Sequence, residues 1–271
     1  MKIAICAPAR PIDRIVEAKL TALAAISFPD VELVFHPQCF EVDGHFAGPD
    51  ERRAAVFLEL ANDPGFDAIW FARGGYGSNR ILHSVIPQLG PAARHKTYLG
   101  YSDMGFLLAA LYARRIGRPV HGPMPSEVNR NDGGACVSRS LAWLLRGERG
   151  VLEPGLAGRP AAAFNIAILD ALVGTPWLPD LTDHVLLLEE VSEPMYRIDR
   201  MLFTIAHATQ LKGLAGVRLG MIKDVIENDP PWQGTDEEMI RRWCGEMGVP
   251  YLGRAVIGHD KNNRVVPFGV V

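Results

Sequence analysis

An alternation near the amino terminus constrains this chain more than any other feature. Short apolar or β-branched runs, KIAICA, VELVFH, DAIWFA and TYLG, are each followed by a longer amphipathic or apolar stretch. Those stretches include a segment ending near Ala25, DERRAAVFLELAND, SNRILHSVI and an apolar segment from Asp103 to Ile116. Strand-length runs in regular succession with helix-length stretches predict βαβ units, and hence an α/β fold with a doubly wound, mostly parallel sheet. In such a sheet, sites are expected where strand carboxyl ends feed helix amino ends.

The rhythm changes after Arg146. RGERGVLEPGLAGRP is crowded with Gly and Pro, and it marks a boundary between an α/β domain over 1–147 and a second domain over 155–271. The second part holds the strand-like HVLLLEE, a helix-like stretch from Tyr196 to Leu211, a strand near GVRLGMI, a short helix from Thr235 to Glu246 and a β-rich tail, VIGHDKNNRVVPFGVV. A chain of 271 residues is long enough to bury the cores of both without disulfide staples.

Charge and composition remove several function classes. The net charge is -3 and no long Lys/Arg run appears, which argues against a nucleic-acid partner. The apolar run of MKIAICAPARPIDR is too short for a signal-peptide core, and no stretch approaches a membrane span, so a cytoplasmic protein without a membrane partner is expected. Cys6, Cys39, Cys136 and Cys244 are widely scattered, without the spacing of a zinc site or redox motif. No histidine pair has metal-site spacing on a helix, and neither a metal nor a cofactor is expected.

Two turns stand out as places for chemistry. In Gly100-Tyr101-Ser102-Asp103 a predicted strand runs into a predicted helix, where a sharp turn can lift a serine hydroxyl from the sheet edge. A serine there also suits an ordinary N-cap, and Gly105 follows Ser102 by three residues rather than the two of the usual hydrolase elbow. Arg73-Gly74-Gly75-Tyr76-Gly77 likewise joins a strand to a helix, with open backbone N–H groups suited to a phosphate or an oxyanion. Its spacing is neither a dinucleotide fingerprint nor a P-loop. His259, in a Gly-His-Asp turn, and His121, in His-Gly-Pro, are both candidate bases. Glu189, Glu190 and Glu193 follow an apolar strand, and one buried member could orient a histidine.

Several segments, in order, resemble the LD-carboxypeptidase family of serine peptidases, which also includes the microcin C immunity peptidases. They are GHFAGPDERRAA, DAIWFARGGYGSNRIL, LGYSDMGFLLAAL, HGPMPSE, LLLEEVSEPMYRIDRML and GHDKNNRVVPFGV. The resemblance implies a Ser-His-Glu triad of Ser102, His259 and Glu189, with the serine on an amino-terminal α/β domain and the other two on a smaller β-rich, barrel-like domain. It implies hydrolysis of an L-to-D amide bond at the carboxyl end of murein peptides during wall recycling, and a homodimer. The immunity branch offers the alternative of peptidyl or aminoacyl nucleotide antibiotics. The sequence departs from the family pattern in AAAFNIAIL, which keeps Asn165 without two preceding glycines, in Glu190 where Asp is common, and in stopping soon after Gly269 where relatives often continue.

On this reading the backbone N–H of Asp103 and one from Gly74 or Gly75 form an oxyanion hole. Arg73, Tyr101 and Arg200 are the expected substrate contacts, with Arg73 or Arg200 as partner for a free carboxylate. A binding module that holds an anion at RGGYG without chemistry is the reading of another class.

Overall fold

The computed structural model describes residues 1–156 and 158–270. The first half winds in the expected order: β1 (Lys2–Cys6), α1 (Arg14–Ser27), β2 (Glu32–Phe35), α2 (Asp50–Asn62), β3 (Ala68–Phe71), α3 (Leu82–Val85), β4 (Thr97–Gly100), α4 (Gly105–Ala113), β5 (Arg118–His121) and α5 (Gly133–Arg146). Strands β1 to β5 pair in parallel. Alternation along β1 shows why helices cover both faces. Ile3 and Ile5 join a core with Val16 and Leu20 of α1 and Val137 and Leu141 of α5, whereas Ala4 and Cys6 join Val56 and Phe57 of α2 and Leu107 of α4.

The second half contains β6 (Ala161–Asn165), α6 (Ile166–Leu172), β7 (Val185–Val191), α7 (Met195–His207), β8 (Gly216–Lys223), α8 (Asp236–Met247), β9 (Tyr251–Arg254) and β10 (Val266–Pro267). Four of these strands form a separate parallel sheet in the order β6-β7-β8-β9. The two-sheet architecture is the expected one. The second sheet runs in the order of the sequence, its parallel strands joined by helical crossovers.

The two halves are interlocked. β10 returns to the first sheet and pairs antiparallel with β5, giving the order β10-β5-β4-β3-β1-β2. Ala161 at the start of β6 exchanges backbone hydrogen bonds of 3.0 and 2.9 Å with Gly269, just beyond β10. α4 and α6 meet so closely that a Cβ at Gly105 would lie 3.0 Å from Ile168.

Three helix boundaries differ from expectation. The segment expected from Asp103 to Ile116 opens with a 3-10 turn, Ser102–Met104, and α4 ends at Ala113, ahead of a positive φ at Arg115 and at Gly117. The stretch expected to Leu211 stops at His207 before a 3-10 turn at Thr209–Leu211. α8 begins one residue after Thr235, which forms a capping box with Glu238. Among the described residues no helix is long and apolar enough to cross a membrane.

Candidate active site

Ser102 sits where buried β4 ends. Tyr101 is still extended, and Ser102 then turns to φ 58°, in the left-handed region that β-carbon-bearing residues seldom occupy. The sharp turn leaves Ser102 partly exposed between two buried neighbours, Tyr101 and Asp103.

The loop after β3 is fastened against this turn. The Asp103 carboxylate accepts hydrogen bonds from the backbone N–H groups of Ser78 at 2.9 Å and Gly77 at 3.3 Å, and the Ser78 hydroxyl donates to the Asp103 carbonyl at 2.6 Å. Burial pushes the Asp103 carboxyl above its usual range, while those N–H groups pull it back. A Cβ on Gly74 would lie 3.0 Å from Ser102 Cβ and 3.1 Å from Ser102 Oγ, so the loop backbone abuts the hydroxyl. Among the described residues the N–H groups of Gly74, Gly75 and Asp103 donate to no backbone carbonyl.

The histidine and its carboxylate come from the second half. Along β7, Leu186 and Leu188 face the core shared with α6 to α8, and Val185 and Leu187 face the opposite core with Ile257 and Val266. The same alternation separates the two glutamates. Glu189 is fully buried and its Oε2 lies 2.8 Å from His259 Nδ1. Glu190 turns to α6, accepting from Asn165 Nδ2 at 2.6 Å and from the N–H groups of Ala167 and Val191, each at 2.8 Å. Burial works to lower the His259 pKa, but the charge and hydrogen bond of Glu189 outweigh it and hold the imidazole above its ordinary value.

Both sheets hold the His259 loop. Lys223 Nζ, at the end of β8, donates to the His259 carbonyl at 3.0 Å. Asn263 Oδ1 accepts from Gly258 N–H at 3.2 Å and lies 3.2 Å from His121 Nε2, while Arg139 of α5 donates to the Asn263 carbonyl at 2.9 Å. The Tyr101 ring lies 4.8 Å from that of His259, which sets the imidazole beside the residue preceding Ser102. Among the described residues His259 Nε2 makes no hydrogen bond.

The structure therefore brings Ser102, Gly74 and Asp103 together, and sets His259 and Glu189 beside Tyr101. His121, the other candidate base, is buried, lowered by burial to a pKa of about 4, and engaged with Asn263. Tyr101 differs from expectation. Its side chain is 1% exposed and its hydroxyl donates to Glu127 at 2.7 Å, so it is a shelf under His259 rather than a surface open to substrate. Arg73 is half-buried beside Gly74. Arg200 is exposed on α7, with its guanidinium 5.4 Å from the Tyr196 ring, and makes no ion pair or side-chain hydrogen bond among the described residues. The Asp103 clamp, Lys223, Glu127 and Asn263 went unrecognised in the sequence; Glu127 and Asn263 lie inside the distinctive HGPMPSE and GHDKNNR segments, but nothing local marks their partners.

Residues 3–122 match the LD-carboxypeptidase N-terminal domain, and residues 161–271 match the LD-carboxypeptidase C-terminal domain. The chain belongs to the LD-carboxypeptidase family. A putative carboxypeptidase of Streptomyces coelicolor is 31% identical, with 99% of this chain and 88% of that protein covered. A murein tetrapeptide carboxypeptidase of Pseudomonas aeruginosa is 27% identical over 83% of this chain and 78% of its own length. The crystal structure of muramoyltetrapeptide carboxypeptidase from Oxalobacter formigenes superposes with a TM-score of 0.83 at 24% identity, covering 98% of this chain and 93% of that one, and so shares the fold. Membership of the LD-carboxypeptidase family makes the chain a peptidase, and therefore a hydrolase.

Proposed function

We propose that this LD-carboxypeptidase family member is a serine carboxypeptidase that removes a D-residue from the carboxyl end of murein-derived peptides. The observation that carries the reading is the 2.8 Å contact between His259 Nδ1 and fully buried Glu189, beside the strained turn of Ser102. With Nδ1–H donating to Glu189, the proton-free Nε2 is the ring nitrogen available as a base.

Ser102 Oγ attacks the scissile carbonyl carbon while its proton passes to His259 Nε2. Negative charge gathers on the carbonyl oxygen, where the N–H of Asp103 and that of Gly74 or Gly75 donate to it. The C–N bond then breaks, His259 returns the proton to the leaving amine, and an ester to Ser102 remains. Water, deprotonated by His259, attacks this ester and releases the shortened peptide and free Ser102. Buried Glu189 keeps the imidazole in one tautomer and stabilises its protonated form.

The murein assignment rests on the relative from Pseudomonas aeruginosa. The test is release of D-alanine from a murein tetrapeptide by purified protein, measured beside an aminoacyl sulfamoyl adenylate. Cleavage of the peptide by native protein but not by Ser102→Ala is the expected result. Turnover of the adenylate alone assigns the substrate to the nucleotide branch, and peptide turnover undiminished in Ser102→Ala overturns the serine mechanism.

A further inference from the structure

Two arginines of the loops around the nucleophile stand apart from their neighbours. Among the described residues neither Arg10 nor Arg73 makes an ion pair or a side-chain hydrogen bond, although most other arginines near this face do. Arg130, for example, is neutralised by Glu127 at 2.7 Å.

Their placement follows from the two consecutive glycines. A Cβ on Gly75 would lie 2.4 Å from Arg10 Cδ and 2.5 Å from its Cγ, so the aliphatic stem of Arg10 lies on the α-carbon of Gly75. Gly74, whose own Cβ would meet Ser102 Oγ at 3.1 Å, is the next residue, and Arg73 precedes it. Adjacent α-carbons are about 3.8 Å apart, so one dipeptide separates the Arg10 stem from the nucleophile. Gly75 has a φ of 118°, and any side chain there would displace Arg10.

The cost of this arrangement is visible in Arg73. Its pKa is lowered by burial and then by the charges of Arg10 and Arg130, with Asp13 and Glu127 opposing. Asp13 is otherwise engaged, capping α1 through a 2.9 Å bond from Val16 N–H. Two guanidinium groups close enough for the charge of Arg10 to act on Arg73, neither of them in an ion pair among the described residues, suit a ligand anion, because each can donate paired N–H groups to carboxylate oxygens.

We propose that Arg10 and Arg73 form a subsite for the free carboxylate of the residue released by cleavage, which restricts the enzyme to removing one terminal residue. This inference rests on the assignment of Ser102 as nucleophile. In such a substrate the terminal carboxylate is separated from the scissile nitrogen by a single carbon, so its partner must reach it from close to the nucleophile, where the Arg10 stem lies. The subsite would discriminate against amidated or extended carboxyl ends, which cannot accept the same two-sided charge-assisted hydrogen bonds.

The experiment compares a murein tetrapeptide with its carboxyl-terminal amide, using native protein, Arg10→Ala and Arg10→Lys. Arg10 is exposed, so its loss should leave the melting temperature unchanged within error. Charge-assisted contacts of this kind predict that Arg10→Ala lowers kcat/KM on the acid by roughly 10- to 100-fold, mainly through KM, and that Arg10→Lys recovers part of it. Turnover of the amide should change less than about twofold, and inhibition by D-alanine, but not by D-alaninamide, should weaken in parallel. Unchanged kinetics on the acid, an equal loss on acid and amide, or native protein that cleaves both equally well overturns the subsite. Ser102→Ala separates the two levels: if it retains turnover the nucleophile assignment fails, whereas an inactive Ser102→Ala beside an unselective Arg10→Ala removes only the subsite.

Discussion

The carboxyl ends of β4 and β7 each present one of the proposed catalytic groups, but they are held by different means. At β4 the backbone fixes Ser102: a left-handed φ, a glycine packed against the hydroxyl, and Asp103 tied to two N–H groups of the neighbouring loop. At β7 and the 258–263 loop the restraint comes from side chains of both halves, with Glu189 and Lys223 from the second, His121 and Arg139 from the first, and Asn263 of the loop itself meeting the latter two. Backbone restraint is local and tolerates few changes. Side-chain restraint spreads over several hydrogen bonds, so single substitutions of Lys223, His121, Arg139 or Asn263, unlike loss of the Glu189 charge, should grade activity rather than abolish the site.

The largest effect is expected at the backbone-held end. Ser102→Ala should lower kcat by about ten-thousand-fold or more with folding retained, measured by D-alanine release. Glu189→Gln should follow, with kcat/KM lower by on the order of a thousandfold, because the imidazolium loses its counter-charge. Its pH profile sharpens the point. Catalysis needs neutral His259, so the rate falls as pH drops through that pKa, which Glu189 holds above the ordinary histidine value. Removing the charge should move this acid limb to lower pH, and an unmoved limb would mean that Glu189 does not act through His259.

Gly74→Ala comes next and probes the backbone-held end without deleting a functional group. Its new methyl would come 3.0 Å from Ser102 Cβ and 3.4 Å from Met124 Cε, so the serine turn must yield by a few tenths of an ångström. Misplacing a nucleophile on that scale predicts a loss of roughly 100-fold, chiefly in kcat. Retention of full activity would show that the turn is more compliant than its contacts imply.

What the sequence could reveal follows the same division. The strand–turn–helix around Ser102 and the glycine loop were legible, because local pattern and backbone chemistry coincide within a few residues. The parallel winding of β1 to β5 was legible for the same reason. Long-range pairings were not. β10 is only two residues long and includes a proline, so nothing in VVPFGV announces that it completes the first sheet. Asp103 was assigned a backbone role, and its clamp on Ser78 spans 25 residues. Tyr101 looked like a substrate contact because it adjoins the nucleophile, but extended backbone turns consecutive side chains to opposite sides and buries this one against Glu127. The same alternation distinguishes Glu189 from Glu190, whereas the doublet alone left their roles to family resemblance.

Glu190 supplies the smallest predicted effect on catalysis and the strictest control on the β7 register. Its carboxylate receives three hydrogen bonds and anchors the start of α6, away from His259. Glu190→Gln should therefore change kcat/KM by less than about threefold, while one N–H partner faces an amide donor at a cost of about 1–2 kcal/mol. Charge gives that cost a pH dependence. Burial, reinforced by the neighbouring Glu189 charge, raises Glu190 to about 7, against about 4.3 in an unfolded chain. The folded protein thus binds the extra proton between those values, and the stabilising contribution present below about pH 4.3 is lost as pH rises through 7. Glutamine cannot ionise, so thermal melts should show the variant gaining on the native protein from pH 5 to pH 8. A loss of activity as large as that of Glu189→Gln would place the histidine's partner one residue along β7, where the strand turns every side chain to the opposite face.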